Sequence, residues 1–242
     1  MADCEAEKKL AALKSVEYIE DGMAVGLGSG STARQFVQAL GERVRQGLVI
    51  KAIPTSKKTK VLAIKEGIPL TDFSEIIRLD VTVDGADEID LNLNLIKGGG
   101  GALLREKIVA AATDCFIVVA DSRKLVATLG AFPLPVEVIP FGWQNVAENI
   151  KKLNSTVELR IKENGHPFLT SQRNFLLDCR FEAIPDPVSL GAELRRIIGV
   201  VEHGLFVGMT DTAIIGKNGS VEILSGKKAD NQRESPGGEY PV

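Results

Sequence analysis

The sequence predicts an α/β fold: a parallel sheet covered by helices, with a smaller α+β domain following it. Three observations carry that expectation. Up to residue 120, short apolar segments alternate with segments of helical periodicity, the pattern of β-α-β units. After Gly130 the order becomes β-α-β-β-α-β, the ferredoxin-like order. The length, 242 residues, suits one large or two modest domains at about 150 residues each.

Taken in order, residues 3–20 read as a helix, with Leu10, Leu13 and Val16 at helical spacing. Asp21-Gly22 stops it. Residues 23–27 are a short apolar strand. GLGSGSTARQF follows, a glycine-rich turn opening a second helix in which Phe36, Leu40 and Val44 share a face. Residues 48–53 form the second strand. Thr55 is placed to cap a third helix that runs to Lys65 and ends at Gly67. Residues 68–70 and 79–83 are further strands, 102–112 a helix, and 115–120 a fully apolar strand.

In the second domain, placed at 131–204, FPLPVEVIP (132–140) is proline-bounded and strand-like. Residues 144–153 and 188–198 read as helices. Residues 156–161, 174–181 and 200–206 read as strands. Residues 212–215 and 221–224 flank GKNGS, a hairpin signal because Asn and Gly tolerate positive φ. Residues 205–224 are therefore assigned back to the first domain with 1–130. The polar stretch 225–242 reads as a flexible tail.

Composition narrows the function. The chain is 44% hydrophobic and 25% charged, with net charge −3 and pI near 5.6. That balance gives no bulk pull toward nucleic acid or anionic lipid. An anionic ligand must then be held by local groups. No apolar run approaches the ~18 residues of a membrane span, and the N-terminus lacks an apolar signal core. Cys4, Cys115 and Cys179 are widely spaced, with no CxxC pair, which argues against a disulfide framework or zinc knuckle. The only histidines, His166 and His203, fall in the second domain and read as packing or surface residues, as does Trp143. The cytoplasm is the expected compartment.

Three motifs carry chemistry. Gly28-x-Gly30-x-x-Ala33 directly follows a strand and opens a helix, so its amides favour an anion. Ser29, Ser31 and Thr32 add hydroxyl donors suited to a terminal phosphate. No acid ends the second strand, as a dinucleotide site would require. DGADEID (84–90) supplies Asp84 and Asp87, as general acid and base or as Mg²⁺ ligands, with Gly85 and Ala86 between them. KGGGGALLREK (97–107) places Lys97 before Gly98, Gly99, Gly100 and Gly101. Four glycines cost much unfolded-state entropy, and their amides can form an anion nest. Glu106, early in the following helix, is the leading base candidate. Arg123 or Lys124, after the apolar strand, reaches the same rim. In open parallel sheets that rim, beyond the carboxyl ends of the strands, is where ligands bind.

Together these pieces resemble the ribose-5-phosphate isomerase family, type A. GxGST (28–32), DGADEI (84–89), IKGGG (96–100), REKI (105–108) and FPLPVEVIP (132–140) occur in order. The resemblance runs from the N-terminal helix to about residue 224. It implies a Rossmann-like domain carrying an inserted ferredoxin-like domain. It implies interconversion of D-ribose 5-phosphate and D-ribulose 5-phosphate in the pentose phosphate pathway, without metal or other cofactor. It also implies a homodimer or homotetramer. By position it makes Glu106 the base and gives Asp84 and Asp87 roles in ring opening and proton traffic. Lys97 falls beside the developing oxyanion. Ser29 to Thr32 and Lys124 fall near the phosphate, with Lys8 a weaker match. Ser29 stands where threonine is frequent, and Gly101 where alanine is frequent. Two rival readings are a sugar-phosphate-sensing module that binds without turnover, and an NADP-dependent reductase using Lys57 and Lys58.

Overall fold

The computed structural model describes residues 4–226. The expected tail falls outside the described residues except for its first two positions. The first half of the chain runs α1 (Cys4–Val16), β1 (Ala24–Leu27), α2 (Ser31–Arg45), β2 (Lys51–Pro54), α3 (Lys57–Lys65), β3 (Leu79–Asp84), β4 (Glu88–Ile89), β5 (Leu95–Ile96), α4 (Leu103–Ala111) and β6 (Thr113–Asp121). The second half runs β7 (Leu134–Val138), α5 (Trp143–Lys151), β8 (Thr156–Leu159), β9 (Phe175–Arg180), α6 (Pro187–Arg196), β10 (Val200–His203), β11 (Leu205–Phe206), β12 (Thr212–Lys217) and β13 (Ser220–Ser225).

Six strands form the main sheet in the order β13-β12-β6-β3-β1-β2. Every neighbouring pair is parallel except the β12–β13 hairpin. Asn218 (φ 49°) and Gly219 (φ 77°) turn that hairpin, as the sequence predicts. β6 is apolar because both its faces are covered: Ile117 and Val119 pack toward α1 and α2, and Phe116, Val118 and Ala120 pack on the opposite side. From β1 the chain passes to β2 on one side, and β3 then lies on the other. The strand order thus reverses between β1 and β3, which opens a crevice at their carboxyl ends. Both the glycine loop and Asp84 begin there.

The second sheet is antiparallel, in the order β10-β7-β9-β8. With α5 and α6 this is the ferredoxin-like arrangement, and it encloses its own apolar core around Leu134, Val136, Ile150 and Leu177. A small third sheet, β11-β5-β4, joins the two.

Local differences from expectation have identifiable causes. The first helix stops at Val16, where Tyr18 and Ile19 donate to carbonyls three residues back. Ser56, not Thr55, caps α3, accepting from the Thr59 N–H. Thr55 is instead buried and donates to the Leu27 carbonyl. Residues 68–70 contribute a single bridge, Ala52 to Leu70, since Pro69 has no N–H to extend a ladder. The expected strand 200–206 divides at Gly204, where a Cβ would lie 2.2 Å from the Lys97 carbonyl oxygen. Among the described residues no helix is long and apolar enough to cross a membrane.

Candidate active site

The site is built where β1, β3 and β5 end. β3 delivers Asp84 fully buried. Its Oδ1 accepts from the Ser29 N–H (2.8 Å) and the Gly85 N–H (2.7 Å). Gly28 must be glycine: a Cβ there would sit 2.2 Å from Asp84 Oδ1. The phosphate-type loop and the first acid are therefore locked together. Gly30 (φ 99°) precedes α2 without a side-chain cap, so the first amides of α2 stay available to an anion. The Ser29 hydroxyl lies 2.9 Å from that of Thr55, which ties the loop to the start of α3.

Lys97 follows β5 and is 3% exposed. Its Nζ lies 3.0 Å from Asp84 Oδ2 and 3.4 Å from Glu106 Oε2, and it donates to the Gly85 carbonyl. The Phe206 ring covers it from below, 5.5 Å from Nζ to centroid. Glu106 is carried in by the first turn of α4 and is 5% exposed. Its Oε2 is buried without a hydrogen bond. The next residue, Lys107, points the other way and anchors α4, donating to Glu202 Oε1 (2.9 Å) and to the His203 carbonyl (2.6 Å). Asp87 accepts from the Gly99 N–H at 2.8 Å, and a Cβ on Gly99 would strike it.

Burial sets the electrostatics. Desolvation lifts the Glu106 carboxyl to about 7 despite the opposing pull of Lys97. Burial also raises Asp84, against Lys97 and its two amide donors. Burial alone would lower Lys97, but Asp84 and Glu106 outweigh it and hold the ammonium up at about 12. The site thus contains a permanent cation beside a carboxyl that titrates near neutrality, the combination expected of a general base and its electrostatic partner.

Asp87, Lys97 and Glu106 open on a cavity of about 180 Å³ lined also by Ser31, Thr32, Ala86, Gly98 and Gly100, while Asp84 is not on its wall. Lys8, Arg123 and Lys124 stand on its wall. Lys8 pairs with Glu5 at 2.7 Å and Arg123 with Asp121 at 2.8 Å. A larger cavity, about 550 Å³, adjoins across Ser29, Gly30, Ser31 and Gly100, and contains none of the carboxylates. The smaller one is the candidate site, since Asp87, Lys97 and Glu106 line it. Among the described residues no three His, Cys, Asp or Glu side chains gather as metal ligands would.

Residues 51–220 match the family described as ribose 5-phosphate isomerase A (phosphoriboisomerase A). The chain belongs to that family. A protein named ribose-5-phosphate isomerase A from Parvibaculum lavamentivorans is 53% identical over 224 residues, covering 90% of this chain and 97% of the relative. One of the same name, numbered 1, from Oceanobacillus iheyensis is 49% identical over 217 residues, covering 89% and 96%. Among solved structures, a D-ribose-5-phosphate isomerase in complex with phospho-erythronic acid superposes with TM-score 0.90 at 42% identity, over 93% of this chain and 100% of that one. The Plasmodium falciparum ribose 5-phosphate isomerase gives 0.88 at 39% identity, over 92% and 99%.

In this isomerase the structure brings together Asp87, Lys97 and Glu106, with Ser29 to Thr32 and Lys124, at one cavity, and places Asp84 behind Lys97, 3.0 Å from its Nζ. His166 lies on the surface. His203 is buried beside Lys107, and burial with that cation drives its imidazole down to about 3, keeping it neutral. Trp143 packs edge-on against Phe175 at 6.5 Å. Sequence reasoning passed over Glu7. This buried acid accepts from the Ser122 N–H and hydroxyl and from the Asn218 N–H. It fixes α1, and hence Lys8, against the rim. An acid at a position that should face the core was the available signal. Arg160 and Phe168, which reach the glycine run from the second sheet, carried no signal in the sequence.

Proposed function

We propose that this ribose-5-phosphate isomerase transfers the C2 proton of D-ribose 5-phosphate to C1 with Glu106 as the base, through an enediolate. The observation that carries this reading is Glu106 Oε2, a buried carboxylate oxygen with no hydrogen bond, 3.4 Å from a permanent cation. A buried carboxylate held beside a cation and facing a cavity is what a base abstracting a weakly acidic C–H proton requires. Lys97 is placed to stabilise the oxygen that becomes negative as the proton leaves, and a preorganised charge in a low-dielectric site is effective there. Asp87 borders the same cavity and Asp84 lies behind it against Lys97 Nζ; the two serve the sugar hydroxyls, opening the ring before isomerisation. The amides at the start of α2 hold the phosphate, with Ser31, Thr32, Lys124 and Lys8 around it. Phospho-erythronic acid, bound by the related solved structure, carries a carboxylate and a phosphate, the charge pattern of the enediolate. The sensing alternative is not favoured, because relatives named as the enzyme match nearly the whole chain.

Lys97 occupies the space between Asp84 and Glu106 where a divalent cation would otherwise sit, which supports a metal-independent reaction. The antiparallel sheet with its own core supports a ferredoxin-like domain at 131–204. Exposed apolar side chains just beyond the end of β7, Ile139 and Phe141 (89% exposed), and just before β10, Ile198 (95% exposed), support a homodimer, readable by light scattering. Three widely spaced cysteines with no CxxC pair suit a cytoplasmic enzyme.

Proton NMR of EDTA-treated protein with ribose 5-phosphate in D₂O tests the chemistry. The expected product is ribulose 5-phosphate carrying deuterium at C1. Substrate that binds without turning over would sink the reading, and product free of deuterium would remove Glu106 as a solvent-exchanging base.

A further inference from the structure

The glycine run 98–101 is held from two sides, and one side belongs to the second sheet. Arg160 directly follows β8. Its Nε donates to Asp178 Oδ2 at 2.9 Å and its Nη2 to Asp178 Oδ1, a two-point pair that fixes the guanidinium plane. The remaining nitrogen, Nη1, donates to the carbonyls of Gly98 (3.1 Å) and Gly99 (3.0 Å). Arg160 is also stacked near Phe168, and the Phe168 ring fills the space where a Cβ on Gly101 would fall.

A trans peptide is planar, with its C=O and the following N–H pointing in opposite directions. Holding the Gly98 carbonyl toward Arg160 therefore turns the Gly99 N–H away from it, and that N–H meets Asp87 at 2.8 Å. Holding the Gly99 carbonyl likewise turns the Gly100 N–H away from Arg160. Gly100 lines the cavity shared with Lys97 and Glu106, and its N–H has no partner within the described residues. Without side chains, Gly99 and Gly100 would rotate freely about φ and ψ. The Gly98 carbonyl also accepts from the Gly101 N–H at 3.0 Å, whereas the Gly99 carbonyl has Arg160 as its one donor among the described residues.

We propose that Arg160, oriented by Asp178, is a positioning residue for the isomerisation: it sets the Gly99–Gly100 peptide plane that aims the Gly100 N–H at the developing oxyanion, and it reinforces, with the Gly98–Gly101 turn, the plane that presents the Gly99 N–H to Asp87. This rests on the assignment of Asp87, Lys97 and Glu106 made above. Arg160 itself touches no reacting atom.

The test uses the full chain with Arg160→Met and Arg160→Lys. The first removes every donor. The second keeps a charge for Asp178 but cannot fork to two carbonyls. For each, kcat, KM for ribose 5-phosphate and the inhibition constant of phospho-erythronic acid are measured, with thermal unfolding as the fold control. A lost oxyanion donor typically costs about 10²–10³ in kcat. Because Gly100 keeps its amide and loses only its aim, we expect Arg160→Met to lower kcat by roughly 10–100-fold. Phospho-erythronic acid should weaken in parallel and KM stay within about twofold, the pattern of an interaction made only in the transition state. Arg160→Lys should fold as the parent does and fall between the two, so it decides the matter if the methionine variant does not fold. Parental kcat in a folded variant would overturn the proposal. So would a raised KM with unchanged kcat, which would assign Arg160 to general substrate binding. Glu106→Gln run alongside separates the failures: if it retains turnover, the site assignment falls; if it is inactive while Arg160→Met is unimpaired, only the positioning role falls.

Discussion

Replacing Glu106 with glutamine should inactivate the enzyme and, above neutral pH, make it more stable. The reasoning runs through burial. Ionised Glu106 is 5% exposed and unbonded at Oε2, and its carboxyl is raised from 4.5 to about 7. A raised acid favours the native state only while protonated. Its contribution is fully present below the unfolded value near 4.5 and is lost as pH climbs through 7. At about 1.4 kcal/mol per pH unit, that loss amounts to about 3 kcal/mol by pH 8. Glutamine resembles the protonated acid and does not titrate, so the variant escapes the loss. Urea unfolding of both proteins at pH 4.5 and pH 8 isolates the effect, because titrations common to the two cancel in the difference. We expect near equality at pH 4.5 and an advantage to Glu106→Gln of about 3 kcal/mol at pH 8, with turnover lost at both. A stability difference that does not change with pH would refute the buried, raised carboxyl and with it the physical basis for Glu106 as the base.

Three further outcomes follow from the same geometry. Lys97→Met should lower kcat by about 10²–10³ and move the acid-limb pKa of the kcat/KM profile upward from about 7, because the ammonium in the parent protein holds the Glu106 carboxyl down; an unmoved profile would remove Lys97 from that role. Lys124→Ala should raise KM with little change in kcat, as expected when a contact is equally strong in ground and transition states; steady-state kinetics decide it. Gly101→Ala should destabilise the fold by at least ~1 kcal/mol in urea unfolding, since φ is +78° and the new Cβ would lie 2.4 Å from the Phe168 ring; parental stability would contradict the packing.

Much of this was legible in the chain. The sequence located every strand of the main sheet, the inner ones as short apolar runs and the β12–β13 hairpin by its Asn218-Gly219 turn. The four central site residues stood out because carboxylates, a lysine and four glycines rarely share so short a span. What escaped depended on long-range contact. β4 and β5 are two residues each and exist only because β11 supplies a third strand. Thr55 and Ser56 are equally good caps in isolation, and only the tertiary bond from Thr55 to Leu27 assigns the cap to Ser56. Arg160 reads as a surface cation until the second sheet is folded over the glycine run.

The Lys107-to-His203 bond also bears on the order of synthesis. It joins groups 96 residues apart, and the neighbouring Lys97 N–H is bonded to the Gly204 carbonyl. The ring beneath Lys97 comes from Phe206. A chain emerging from the ribosome therefore carries Asp84, Lys97 and Glu106 early, yet cannot seat its ammonium until β11 has appeared. Contacts between residues so far apart in sequence slow folding. A chain ended before residue 203 would carry Asp84, Lys97 and Glu106 without the partners that seat Lys97 and α4, and we expect it to show no turnover until that segment is supplied.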